Sequence, residues 1–281
     1  EVSIAVDSPE TAVEAVATVA AAGADFVKVY TLLSGDAFDA VIAAARDRHL
    51  PVSGHVPGDV EPVAAAAVMR TIEHLRSELG GFCEEDHAED CEAAFAAFHE
   101  HGTFQVPTLV VQGQAKATDL CGDPRLDAMP SVVLEYWFDG ATAPPGCDAG
   151  TSSNRVRPEL PPEAWIIPRL RAAGIPILAG TDTGVPWSLP GWSLHDELSL
   201  LVRAGLPTAD ALLGATRDAA RALDLEDEIG TILPGMAADL LLLRADPLED
   251  IENVRRIEAV VLRGDLLERA ELDSILGAMR P

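Results

Sequence analysis

The sequence holds almost no lysine. Of its 20 Lys and Arg residues only Lys28 and Lys116 are lysines. Basic residues as a class are outnumbered by 46 Asp and Glu, which sets the formal net charge of the 281-residue chain at −26. An excess of that sign argues against a nucleic-acid partner and against an anionic membrane surface. No apolar run reaches the roughly 18 residues that a spanning helix needs. Neither G-x-G-x-x-G nor G-x-x-x-x-G-K-[ST] occurs, so the usual signature of a phosphate-binding open sheet is absent. Cys-x-x-Cys and Cys/His clusters with zinc-finger spacing are absent too. What remains, 48% apolar and 23% charged residues, is ordinary globular composition and excludes disorder as a default.

The four cysteines, Cys83, Cys91, Cys121 and Cys147, lie in polar or Gly/Pro-rich stretches. Their even number and loop placement predict disulfides within each sequential pair. A periplasmic or secreted location is thereby favoured over a cytoplasmic one.

One unit repeats along the chain. Ser8-Pro9-Glu10 starts a helix with Val13, Val16, Val19 and Ala20 on one face, Gly23 ends it, and the β-rich Ala24-Asp25-Phe26-Val27-Lys28-Val29-Tyr30 follows. A second helix from Ser34 carries Phe38, Val41, Ile42 and Ala45, and Leu50 to His55 is its strand. Glu61 to Arg70 with Thr71 to His74, Cys91 to His101 with Thr103 to Thr108, and Pro162 to Ala173 with Ile175 to Asp182 complete five such units. Strands alternating with helices predict a parallel sheet. Each strand ends in a polar residue: Lys28, His55, His74, Thr108 and Asp182. In a (β/α)8 barrel the carboxyl ends of the strands converge on the catalytic face. Between Val111 and Pro161 the pattern lapses into a Gly-, Pro- and Asp-rich insertion with Tyr136, Trp137, Arg155 and Arg157, of the length expected for a lid or binding loop. From Gly230 onward strands and turns predominate, with a turn at Arg263-Gly264-Asp265.

Lys28 stands between two valines in a strand predicted to be buried on both faces, where an ammonium would cost several kcal/mol unless paired. Burial lowers a lysine's pKa, and a neutral amine can act as nucleophile, form a Schiff base, or take up CO2 as a carbamate. His55 and His74 end the next two strands and supply imidazoles of the type that bind Zn-like divalent ions. Asp182 is placed to bind metal and to move a proton.

These residues and their surroundings resemble the amidohydrolase superfamily in its imidazolonepropionase-like and prolidase-like branch. The resemblance rests on Gly23 to Tyr30, Gly54-His55-Val56-Pro57, Ile72-Glu73-His74, Ala179-Gly180-Thr181-Asp182-Thr183-Gly184, His195-Asp196-Glu197-Leu198, Ala204-Gly205-Leu206, Gly230-Thr231-Ile232 and Pro234 to Leu240. It implies an α/β fold, a TIM-like (β/α)8 metal-dependent hydrolase barrel of which strands four to eight are present, with a small C-terminal β-sandwich subdomain. The implied division is a partial barrel over 1–225, interrupted by an insertion at 112–160, and the C-terminal part of a composite sandwich over 226–281. Lys28 would be carboxylated and bridge two divalent ions of the Zn type. His55 and His74 would bind the more exposed ion, and Asp182 would bind the buried one and act as general base and acid. The implied reaction is hydrolysis of an amide, a cyclic amide, a dipeptide or another C–N bond in a small molecule.

In the family the first barrel strand ends in a His-x-His pair, and this chain is expected to lack that pair together with strands one to three. A fragment of a larger protein is therefore expected, partnered by its N-terminal segment and able to form a homo-oligomer. The alternative is an inactive remnant that binds metal or a partner without turnover.

Overall fold

The structure, a computed structural model, describes residues 3–74, 83, 91–112, 121–140, 159–185 and 188–279. It comprises two compact units, Glu1–Pro107 with Trp165–Leu178, and Thr108–Ala164 with Ala179–Pro281.

The first unit is built from the predicted alternation. Helix α1 (Pro9–Ala21) begins with Pro9 at its first position, and the Ser8 side chain accepts the Thr11 amide while Thr11 Oγ1 accepts the Ser8 amide. Its buried face is Ala12 and Val16, whereas Val13 is exposed. Strand β1 (Val27–Val29), helix α2 (Gly35–Arg46), β2 (Val52–Gly54), α3 (Pro62–Ala66), β3 (Thr71–Glu73), α4 (Glu92–His101) and β4 (Phe104–Val106) follow. The four strands are parallel and pair in sequence order, β1-β2-β3-β4. Helix α2 is capped by Ser34 and buries Phe38, Val41, Ile42 and Ala45, the face its spacing predicts. Ile72, Phe98, Ile167 and Leu170 are fully buried in this unit, each stabilising it by about 1.5–3 kcal/mol relative to exposure.

Two expectations are corrected here. Lys28 is not buried on both faces of its strand, because β1 stands at the edge of the described sheet and its central side chain is about a third exposed. The fifth unit supplies a helix, Ile167–Ala172, but only a single bridge, Gln105 to Ile177, in place of a strand. Pro176 has no amide hydrogen to donate, and the bridge consists of the Gln105 amide on the Pro176 carbonyl at 2.9 Å and the Leu178 amide on the Gln105 carbonyl at 2.8 Å.

The second unit contains helices Leu109–Gln112, Ser131–Trp137, Ser193–Arg203, Thr208–Gly214 and Arg217–Ala222. Part of the insertion is ordered here around an apolar cluster of Met129, Leu134, Trp137, Phe138 and Leu189, against which Leu126, Val133 and Trp192 pack. Tyr136 points to solvent, and Arg155 and Arg157 lie outside the described residues. The tail forms an antiparallel sheet of β5 (Leu240–Leu243), β6 (Ile257–Leu262) and β7 (Asp265–Glu268). Arg263 and Gly264 both have positive φ, 53° and 90°, and close the β6–β7 hairpin as the two-residue turn that suits strand twist.

A disulfide joins Cys83 to Cys91 as expected, with Cα atoms 5.1 Å apart. Cys121 is also disulfide-bonded, and Cys147 lies outside the described residues. Among the described residues no helix is long and apolar enough to cross a membrane.

Candidate active site

Gly54 sets the geometry of the first unit's strand ends. Its φ is 122°, and a Cβ there would collide with the Val29 carbonyl oxygen and lie 2.9 Å from the Val29 nitrogen and 3.2 Å from Lys28 Cγ. Only glycine allows this approach, and it brings the His55 amide onto the Val29 carbonyl at 3.0 Å. His74 follows β3 with its amide on the Val106 carbonyl at 2.9 Å. The two imidazoles meet edge to face, ring centroids 4.7 Å apart. The Tyr30 ring also lies 4.7 Å from that of His55, tilted by 35°, and Thr31 Oγ1 lies 2.8 Å from His55 Nδ1. Lys28 Nζ forms an ion pair with Glu73 at 2.7 Å and stands 5.4 Å from the Tyr30 ring centre. His55 and His74 thus follow the ends of adjacent strands of one unit with their rings in contact, and Lys28 is the central residue of the neighbouring strand β1.

Asp182 belongs to the second unit, in the turn that follows Leu178. His74, Thr108 and Asp182 all have positive φ, at 68°, 49° and 47°. The other non-glycine residues with positive φ follow helices or sit in tight turns, as His49, Asp224 and Arg263 do. These three instead follow β3, β4 and the Ile177 bridge of the fifth unit, and left-handed backbone of this kind, strained by roughly 1–3 kcal/mol per residue, clusters at functional sites. Among the described residues no three His, Cys, Asp or Glu side chains converge as a ready ligand set.

The chain's sole His-x-His, His99-Glu100-His101, contrasts with the expectation that it lacks such a pair. It occupies the last turn of α4, where basic side chains complement the helix carboxyl end, and His99 lies against Gly174. It ends no strand.

Sequence reasoning passed over Glu73 as the partner of Lys28, although Ile72-Glu73-His74 contains it. It also passed over Glu197, a fully buried carboxyl that accepts the Leu109 amide at 3.0 Å and the Val110 amide at 2.7 Å. Burial pushes Glu197 up to about 8, against the two backbone hydrogen bonds. Beside it, Asp196 receives Arg125 at 3.1 Å and Arg255 at 2.7 Å. Burial pulls Arg125 down, but Asp123 and Asp196 outweigh it and hold the guanidinium above its ordinary value. His195 is lowered by burial and then by Arg255, with Asp196 and Glu252 opposing.

The sequence profile of the amidohydrolase family matches residues 18–267. The chain belongs to the amidohydrolase family. An imidazolonepropionase from Ralstonia nicotianae is 37% identical over 239 residues, covering 79% of this chain and 53% of its own length. An uncharacterized protein from Mycobacterium bovis is 28% identical over 237 residues, 83% of this chain and 52% of that one. Among solved structures, bottromycin amidohydrolase superposes with a TM-score of 0.73 at 27% identity, covering 98% of this chain and 63% of its own. A Xaa-Pro dipeptidase with methionine bound shares the fold, with a TM-score of 0.63 at 24% identity over 94% of this chain and 59% of its own. This amidohydrolase chain therefore spans about half the length of the curated relatives that match most of it.

Proposed function

We propose that the chain is the catalytic part of a metal-dependent hydrolase of amide or other C–N bonds in small molecules, with cyclic amides and dipeptides as the substrate classes its relatives point to. The observation that carries this reading is the pair of imidazoles, His55 and His74, in contact at the ends of adjacent parallel strands and next to the strand of Lys28. We further propose a barrel of which residues 1–225 supply strands four to eight, and a composite β-sandwich to which 226–281 contribute. The remaining strands would come from additional polypeptide, consistent with the half-length match. The disulfide between Cys83 and Cys91 supports a periplasmic or secreted location.

The donor chemistry fits divalent ions of the Zn type: two adjacent imidazoles, a carboxylate at Asp182, and a lysine that can become an oxygen donor by taking up CO2. Lys28, His55, His74 and Asp182 would hold two such ions, with Lys28 as the carbamate between them. When bound, such ions polarise a carbonyl and make water a competent nucleophile at neutral pH. A carboxylate oxygen of Asp182 would take a proton from the attacking water and return it to the leaving nitrogen, so that water adds across the cleaved C–N bond. Tyr30, set against His55, limits the ring's rotation.

Metal analysis of the isolated protein tests this reading, with turnover of a panel of N-acyl amino acids, Xaa-Pro dipeptides and cyclic amides. Two equivalents of Zn and a carbamate carbon signal after labelling with 13C-bicarbonate are expected, and Lys28→Ala loses the carbamate, the bridged metal and the activity. Full activity in Lys28→Ala overturns the two-metal site. The remnant reading draws on the ion pair of Lys28 with Glu73, and it predicts one metal equivalent or none with no turnover.

A further inference from the structure

Asp182 sits in a loop closed by three hydroxyls. Ser188 is fully buried, and its Oγ donates to the Thr181 carbonyl at 2.9 Å. The same Oγ lies 3.3 Å from Thr183 Oγ1, which lies 2.6 Å from Thr181 Oγ1. Each hydroxyl has one proton to give. Ser188 commits its proton to a carbonyl that can only accept, so Thr183 donates to Ser188 and Thr181 donates to Thr183. The direction of all three bonds is thereby fixed, and each polarises the next. This closure straddles Asp182, whose φ of 47° persists only if its surroundings over-determine it. The Asp182 carbonyl accepts the Val185 amide, and the Val185 carbonyl the Ser188 amide, both at 3.3 Å.

The residue after Ser188 is anchored differently. Leu189 is 1% exposed and packs with Met129, Leu134, Trp137 and Phe138, all from the inserted segment. Its carbonyl also accepts the Ser193 amide at 2.9 Å at the start of helix Ser193–Arg203. Hydroxyls therefore hold the loop on one side of the Ser188–Leu189 peptide, and the insertion holds it on the other.

We infer that Ser188 is a positioning residue for Asp182, and that segment 126–138 of the insertion is the buttress that keeps Ser188 in place. The catalytic consequence rests on the proposed role of Asp182; the loop architecture does not. The insertion, expected from its composition and length to be a lid or binding loop, thereby supports through Leu189 the loop that carries Asp182.

Hydrogen–deuterium exchange of the full chain, followed on peptides covering residues 179–189, tests both halves when combined with steady-state kinetics on any panel substrate the wild type hydrolyses. Ser188→Ala, Thr183→Val and Trp137→Ala should speed exchange at Val185 and Ser188 about fivefold to tenfold, the effect of losing one neutral hydrogen bond or its support. Thr183→Ser keeps the hydroxyl at an exposed position and should behave as wild type, as should Val254→Ala, a cavity placed elsewhere in the same unit. The same three variants should lower kcat about 10- to 100-fold with KM unchanged, the range for a displaced catalytic group. Unaltered exchange in Thr183→Val and Trp137→Ala, or equal acceleration in Val254→Ala, overturns the inference. The expected exchange pattern in a wild-type protein without metal or turnover supports the buttress while counting against the hydrolase reading.

Discussion

Glu197 has a larger effect on how stability depends on pH than its place in an apolar helix stretch announces. Its carboxyl is fully buried, satisfied by the Leu109 and Val110 amides, and pushed up to about 8 by burial. An unfolded glutamate titrates near its ordinary value of 4.5. Between those two values the folded protein keeps a proton that the unfolded chain has released, so folding becomes less favourable as pH rises. The contribution is fully present below the lower value and lost by the upper one, with a slope of at most about 1.4 kcal/mol per pH unit. Urea unfolding at pH 5, 6, 7 and 8 should show this component in the wild type and not in Glu197→Gln, which cannot titrate. Equal pH dependence in the two proteins would mean that Glu197 is ionised in the fold. At this scale the sequence pointed to part of what the structure brings together. His55, His74 and Asp182 stood out as candidates because they recur where the predicted strands end, and the rings of His55 and His74 are in contact; Lys28 is paired with Glu73 and less buried than expected. Glu197 gave no such signal, because its partners lie 88 and 87 positions away and are backbone amides, which no side-chain pattern records.

At the level of elements, the helix–strand alternation was readable because each helix carries a cap and an apolar face that local chemistry dictates. Ser34 and the Phe38 face of α2 are examples. The failures have local causes as well. In α1 small alanines alternate with valines, so more than one face could serve, and the fold buries Ala12 with Val16. In the fifth unit Pro176 reduces a predicted strand to a bridge. Gly54 is where element and site meet, since the β1–β2 pairing and the position of His55 both depend on its missing Cβ. In Gly54→Ala the new methyl meets Val29 backbone atoms, which cannot move without breaking the parallel register Lys28↔Ser53 and Val29↔Gly54. The positive φ adds a further cost for any residue with a side chain. Destabilisation by about 3 kcal/mol or more is expected, read as a lower thermal midpoint. A variant with wild-type stability would show that the strand ends tolerate a wider spacing than the structure has.

For the molecule as a whole, the net charge of −26 is a source of self-repulsion that salt relieves. Exposed carboxylates are screened within ~10 Å at 0.1 M salt and ~3 Å at 1 M, so the thermal midpoint should rise as NaCl is raised. Asp196 belongs to a different regime. Its side chain is 6% exposed and holds Arg125 and Arg255, which are 17% and 29% exposed and are also paired with Asp123 and Glu252. Ser199 closes the network on Glu252 at 2.7 Å. Through these contacts a residue of the insertion, the helix Ser193–Arg203 and the segment before β6 depend on one carboxylate, all within the second unit. Without Asp196, Arg125 and Arg255 each keep one carboxylate partner, Asp123 and Glu252, in place of two, and Asp196→Ala should cost about 1.5–3 kcal/mol in urea unfolding, the range for hydrogen bonds to charged groups. Because the cluster is shielded from solvent, that deficit should stay nearly constant between 0.1 and 1 M NaCl while both proteins gain stability. A deficit that shrinks toward zero at high salt would show Asp196 to be an ordinary surface charge, and would remove the electrostatic tie between the insertion and the helix it packs on.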